Sequence, residues 1–116
     1  MNAKISQNEA FMVVCENSNG CLGIVAISIK ANRITFFGVT HICDYVEAGR
    51  KLLSHALSLL NTNADISHNI IKSKAKHIQA EYDLFKNHGF LYSSDDLEHD
   101  VPVSVMIRAP QPNSNL

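Results

Sequence analysis

Residues 39–57, VTHICDYVEAGRKLLSHAL, and residues 80–90, AEYDLFKNHGF, decide how this chain folds. In the first stretch and its continuation, Tyr45, Ala48, Leu52, Leu53, Ala56 and Leu60 recur along one stripe of a helix, while Glu47, Arg50, Lys51 and Ser54 face the other way. The spacing predicts an amphipathic helix over about 45–60. In the second, Ala75, Ile78, Tyr82 and Phe85 repeat at helical spacing and predict a helix over about 75–88. Gly89 then supplies the left-handed residue that ends it, and Phe90 stands where a Schellman stop sets an apolar residue against Phe85. Residues 33–40, RITFFGVT, and 66–71, ISHNII, read as strands on either side of the first helix. Strand, helix, strand and helix in that order imply a parallel βαβ unit.

Outward from this unit, residues 10–15 (AFMVVC) and 21–29 (CLGIVAISI) are apolar runs separated by ENSNG, whose Asn19-Gly20 pair marks a hairpin turn. The second run lacks polar alternation, which predicts a central strand covered on both faces. With residues 33–40, three antiparallel strands precede the first helix. Towards the C-terminus, the acidic stretch SSDDLEHD (93–100) reads as a loop. Beyond it Val101, Val103, Val105 and Ile107 alternate with Pro102, Ser104, Met106 and Arg108, predicting a last half-buried strand with the valine face inward. The expected architecture is α+β: a mixed sheet in βββ-α-β-α-β order with two main helices, in one domain over 1–116. Its ordered core spans about 9–109, and 110–116 form a tail.

The 116 residues suffice for about one domain. A hydrophobic share of 46% with 18% charged residues indicates a globular chain rather than a disordered one. The net charge of -1 provides no general attraction to nucleic acid or anionic membranes, so neither is an expected partner. No apolar run reaches the roughly 20 residues a spanning helix requires, and MNAKISQNEA lacks the apolar core of a signal peptide, which points to the cytoplasm. Cys15, Cys21 and Cys43 have no CxxC spacing, and the six histidines form no HxxxH pair, so neither a disulfide framework nor a metal site is expected.

The two opening stretches resemble the acetyl-CoA-binding half of the GNAT superfamily of N-acetyltransferases. Residues 10–108 follow that family's element order, and the nine residues before Ala10 hold no counterpart of its first strand and early helices. The resemblance implies acetyl-CoA or acyl-CoA binding and N-acetyl transfer to a small amine. The alternative is a non-catalytic binding or regulatory module derived from the same fold that has lost acetyl-CoA binding and engages a protein partner. The family receives the CoA pyrophosphate on a Gln/Arg-x-x-Gly-x-Gly/Ala loop, where glycines let the backbone approach and free amides plus the helix dipole hold the anion. Here Asp44 stands at the first position, Glu47 at the first glycine and Gly49 at the second. Asp44-x-x-Glu47 also reads as a capping box, with Asp44 accepting from first-turn amides and Glu47 reaching back. The implied cofactor contacts are Val39, Thr40, His41, Gly49 and Arg50.

In the family a Tyr one turn before the Gly-Phe stop protonates the departing thiolate. That position is Phe85, which has no proton to donate. Tyr82, one turn earlier, is the candidate substitute, against its reading as a core residue with its hydroxyl at the edge. His41, at the end of the third strand, is the candidate general base, since an unperturbed imidazole titrates near neutrality. Its other reading is a solvated strand end. Lys72, Lys74 and Lys76 read either as a solvated helix start or as a contact for the CoA 3′-phosphate. Without the early helices, sheet positions including Phe11, Val13 and Cys15 lack an intrachain cover, which predicts a homodimer.

Overall fold

The computed structural model describes residues 11–16, 22–39 and 45–110, of which 11–16 and 22 are described by their strand register. They fall into two compact units, residues 1–61 and 62–116. The first contains β1 (Phe11–Glu16), β2 (Leu22–Ser28), β3 (Arg33–Val39) and α1 (Tyr45–Leu59). The second contains β4 (Ile66–Ile71), α2 (Lys76–Asn87), β5 (Phe90–Glu98) and β6 (Val101–Arg108). Among the described residues no helix is long and apolar enough to cross a membrane.

In the first unit β2 pairs antiparallel with β1 on one side and β3 on the other, the central place its apolar run predicts, but only one face is fully covered: Ile24 and Ala26 on the other are half-buried. Period-2 alternation puts Val25 and Ile27 of β2 on one face, opposite Phe37 and Ile34 of β3, and all four are buried. Leu52, Leu53 and Ala56 of α1 are buried as well, and burying a side chain of the Val/Leu/Ile class contributes about 1.5–3 kcal/mol. Gly23 explains how closely α1 approaches β2. A Cβ there would stand 3.0 Å from Leu52 Cδ2, tighter than ordinary packing allows. At the opposite end of α1, Asn32 adopts a positive φ of 55° and clamps the helix terminus. Its Nδ2 donates to the Asn61 carbonyl at 2.9 Å, and the Asn61 N–H donates to Asn32 Oδ1 at 2.8 Å.

In the second unit β6 lies between β4 and β5, antiparallel to both. Ile66, His68 and Ile70 of β4 stand opposite Arg108, Met106 and Ser104 of β6, and this is the face on which Phe85 of α2 packs. The valine face expected to point inward therefore yields to its opposite: Met106 is fully buried and Ser104 nearly so, while Val101 is exposed. Only Val103 of the predicted face is fully covered. The helix chooses the face, and the presence of His68 in an otherwise apolar row concealed the choice. Helix α2 ends as expected. Gly89 has φ 94°, its N–H donates to the Lys86 carbonyl at 3.1 Å, and Phe90 meets Phe85 edge-on at 5.0 Å.

The acidic stretch 93–100 is not a loop. Residues 90–98 form strand β5, and the reversal to β6 is confined to His99 and Asp100, both with positive φ as a two-residue hairpin turn requires. Composition misleads here because residues 91–97 are all exposed. A strand solvated on both faces has no apolar row to announce it, and its ladder to β6 supplies the backbone bonding that its side chains do not signal.

Candidate functional site

Three groups of chemistry-bearing side chains emerge among the described residues, one in the first unit and two in the second. In the first, α1 begins at Tyr45, a few residues beyond the end of β3 at Val39. Thr40, His41 and Asp44 lie outside the described residues, and with them the capping box and the strand-end base. Gly49 is buried and Arg50 exposed on the helix that starts there. Glu47 is met by Arg50 Nη2 at 3.3 Å and by Lys51 Nζ at 3.5 Å, all three side chains being more than half exposed. Exposed pairs of this kind contribute at most about 1 kcal/mol, so both cations can be released to another anion. With one carboxylate and two cations, this part of the helix carries a net charge of +1 from Glu47, Arg50 and Lys51. These residues fit a phosphate-bearing ligand better than the sequence suggests, because the carboxylate at the family's glycine position is already neutralised along its own helix.

In the second unit His68 is 3% exposed and its Nε2 lies 2.7 Å from Glu81 Oε2. The imidazole stacks on Phe85 with ring centroids 4.2 Å apart and planes 18° from parallel. Period 2 along Ile66, His68 and Ile70 is the signal that could have assigned His68 to the buried face. Nothing in the helical stripe of α2 pointed to Glu81. Phe85 is itself fully buried, so no hydroxyl stands at the position where the resemblance implies a thiolate acid. Tyr82 is half-buried on α2. It lies close enough to Lys72 and Tyr92 to act on both electrostatically.

Lys72, Tyr92 and Asp95 form an exposed trio. Lys72 Nζ is 2.7 Å from Asp95 Oδ1, the Tyr92 hydroxyl donates to the same oxygen at 2.7 Å, and Lys72 Nζ sits 5.6 Å from the Tyr92 ring centroid. The hydrogen bonds from Lys72 and then Tyr92 hold the Asp95 carboxyl below its ordinary value. The bond to Asp95 likewise raises the Lys72 ammonium and the Tyr92 phenol above theirs. Lys72 is thus engaged within its own unit, whereas Lys74 and Lys76 are exposed at the start of α2, whose N-cap Ala75 offers no side-chain acceptor.

The architecture has known counterparts. The spermidine N-acetyltransferase of Vibrio cholerae, in a dodecameric structure in an intermediate state, superposes with a TM-score of 0.67 at 17% identity over 94% of this chain and 70% of that one. The ribosomal-protein-S18-alanine N-acetyltransferase of Escherichia coli does so with a TM-score of 0.59 at 18% identity, over 96% of this chain and 76% of that one. The chain has the GNAT fold. The α+β class, mixed sheet and two main helices expected from the sequence are those of the GNAT fold. No protein-family model matches the sequence, and no curated protein does. At such identities the GNAT likeness is one of fold. The site residues must speak for themselves.

Proposed function

We propose that this protein binds acetyl-CoA or a related acyl-CoA at the start of α1 and transfers the acyl group to a small amine, as a cytoplasmic homodimer. The observation that carries the reading is the start of α1, close after β3 in a chain of GNAT fold, with Gly49 buried on it and Glu47 held between Arg50 and Lys51. Val39, Thr40, His41, Gly49 and Arg50 would hold the ligand: helix amides and the Arg50 guanidinium take the pyrophosphate, and the strand end takes the pantetheine arm. When bound, acetyl-CoA supplies a thioester. His41 would be the base that takes the proton of the attacking amine. Tyr82 would be the acid that supplies a proton to the sulfur of the departing CoA.

A second reading draws on a specific observation. Phe85, at the position of the family's acid, is fully buried and stacked on His68, which favours a module that binds without catalysing. Calorimetric titration of wild type and Glu47→Gly with CoA and acetyl-CoA, at low and high salt, tests both. Glu47→Gly releases Arg50 and Lys51 and frees backbone amides. It should bind more tightly than wild type, by a margin that shrinks as salt screens the charges. Binding with turnover of amines selects the first reading, and binding without turnover keeps its ligand but removes the transfer. No binding by either form at millimolar ligand refutes the acyl-CoA reading and selects the second.

A further inference from the structure

Strand β5 is exposed along residues 91–97, with Leu91 at 63% and Leu97 at 62%. Among the described strands it is bonded on one side alone, to β6, so its other edge presents a row of backbone donors and acceptors that no described strand pairs, one of them, the Leu97 N–H, being held by Asp96 Oδ1. Such an edge is a template for another strand. Its side chains determine which strand.

The register with β6 sorts them. Tyr92, Asp95 and Leu97 stand opposite Met106, Ser104 and Pro102 and share one face. Leu91, Ser94, Asp96 and Glu98 stand opposite Ile107, Val105, Val103 and Val101 and share the other. A bulge between Tyr92 and Ser94 shifts the alternation. An antiparallel second copy related by a two-fold axis keeps each face on its own side. Within residues 94–98 a face-matched register that pairs more than Ser94 with itself then sets Asp95 against Asp95, Asp96 against Asp96, Asp96 against Glu98, or Glu98 against Glu98. Like charges directly opposite are destabilising, and a register that crosses the bulge sets the two kinks against each other. The edge is therefore closed to its own copy.

The same charges open it to a cation-bearing strand. Asp95 is already satisfied by Lys72 and Tyr92. Asp96 accepts from the Leu97 N–H at 2.8 Å and Glu98 from Asn69 Nδ2 at 2.9 Å, contacts that orient the carboxylates without neutralising their charge. We propose that the outer edge of β5 receives an extended basic segment of a partner protein by strand addition. The segment reads basic, apolar, basic: the two cations oppose Asp96 and Glu98 on one face, and the apolar residue between them covers Leu97 on the other. Main-chain bonds supply the affinity and the alternate side chains the selection. This surface is independent of the acyl-CoA reading.

The test is titration of the full chain, by calorimetry and by amide chemical shifts, with an acetylated nine-residue peptide alternating lysine and valine. Three comparisons accompany it: the same peptide N-methylated along one edge, a glutamate-valine peptide, and the double variant Asp96→Asn with Glu98→Gln, which keeps both hydrogen-bond acceptors. Expected is one-to-one binding that perturbs the amides of β5, is lost on N-methylation and is absent for the glutamate peptide. The double variant, shown folded by circular dichroism, should weaken it by roughly two- to thirtyfold, the range two exposed ion pairs supply. Equal binding of the N-methylated or glutamate peptide, undiminished binding by the variant, or no binding at millimolar peptide overturns the proposal.

Discussion

Breaking the contact between His68 and Glu81 should cost more than any surface substitution in the second unit. The two side chains are 4% and 15% exposed, and His68 Nε2–H donates to the Glu81 carboxylate across 2.7 Å. Hydrogen bonds to charged groups contribute about 1.5–3 kcal/mol net, and stripping one partner from a fully buried pair costs about 3–5 kcal/mol. Glu81 retains some access to water, which returns part of that penalty. Glu81→Ala should therefore lower stability by about 2–3 kcal/mol. Glu81→Gln keeps an oxygen for the imidazole N–H and should lose about 1 kcal/mol or less. His68→Leu additionally forfeits the stack on Phe85, a contact of about 0.5–1.5 kcal/mol beyond its area. Urea titrations of the two single variants and the double variant, compared at constant m-value, isolate the pair. The coupling should exceed about 1 kcal/mol. A Glu81→Ala variant within about 0.5 kcal/mol of wild type, or a coupling below that value, would refute the view that this pair fastens α2 to β4.

Gly89→Ala should destabilise by about 1–2 kcal/mol, measured by the same titration, because φ of 94° strains a side-chain-bearing residue. The Cβ would only touch Arg108 Cγ at 3.5 Å, so a cost persisting in Gly89→Asn, which tolerates left-handed backbone better, would point instead to packing. Tyrosine absorbance should show Tyr92 ionising above 10.0, with Asp95→Ala bringing it down; an unchanged titration would deny the hydrogen bond. The signs follow for stability. Lys72 and Tyr92, both raised, contribute below their ordinary values and lose that contribution as pH rises through the folded ones. Asp95, lowered, contributes above its ordinary value and loses it as pH falls through the folded one, so the trio's contribution is flat at neutrality and fades at both extremes. Sedimentation velocity at micromolar concentration should give a homodimer, and a clean monomer would end that proposal.

Residues with a rigid local grammar were legible from the sequence. The 3.6-residue stripe of α1 placed Leu52, Leu53, Ala56 and Leu60 in the core, and the Gly-Phe stop fixed where α2 ends. Strand β5 was illegible because its side chains are solvated on both faces, so nothing in its pattern distinguishes it from a turn. The inward face of β6 was misread for a related reason: valines occupy one row, yet the helix above packs on the row carrying Met106 and Ser104. At the candidate site, the sequence placed Glu47, Arg50 and Lys51 on one outward face of the helix but did not show whether their side chains meet. That depended on rotamers of exposed side chains, which composition does not encode.

The Asn32 clamp on Asn61 bears on the far end of the helix it holds. A helix of 15 residues is about 22 Å long, so tilting α1 by about 10° around the clamp would sweep its first turn through about 4 Å. The paired hydrogen bonds between Asn32 and Asn61 thus act as the bearing of a lever whose tip carries Glu47 and Gly49, and the Gly23 notch under Leu52 serves as its rest. Losses in positioning at that tip are magnified relative to the small bonds that prevent them. Under the proposed acyl-CoA reading, the turn between β2 and β3 becomes a tuning point for affinity in directed evolution.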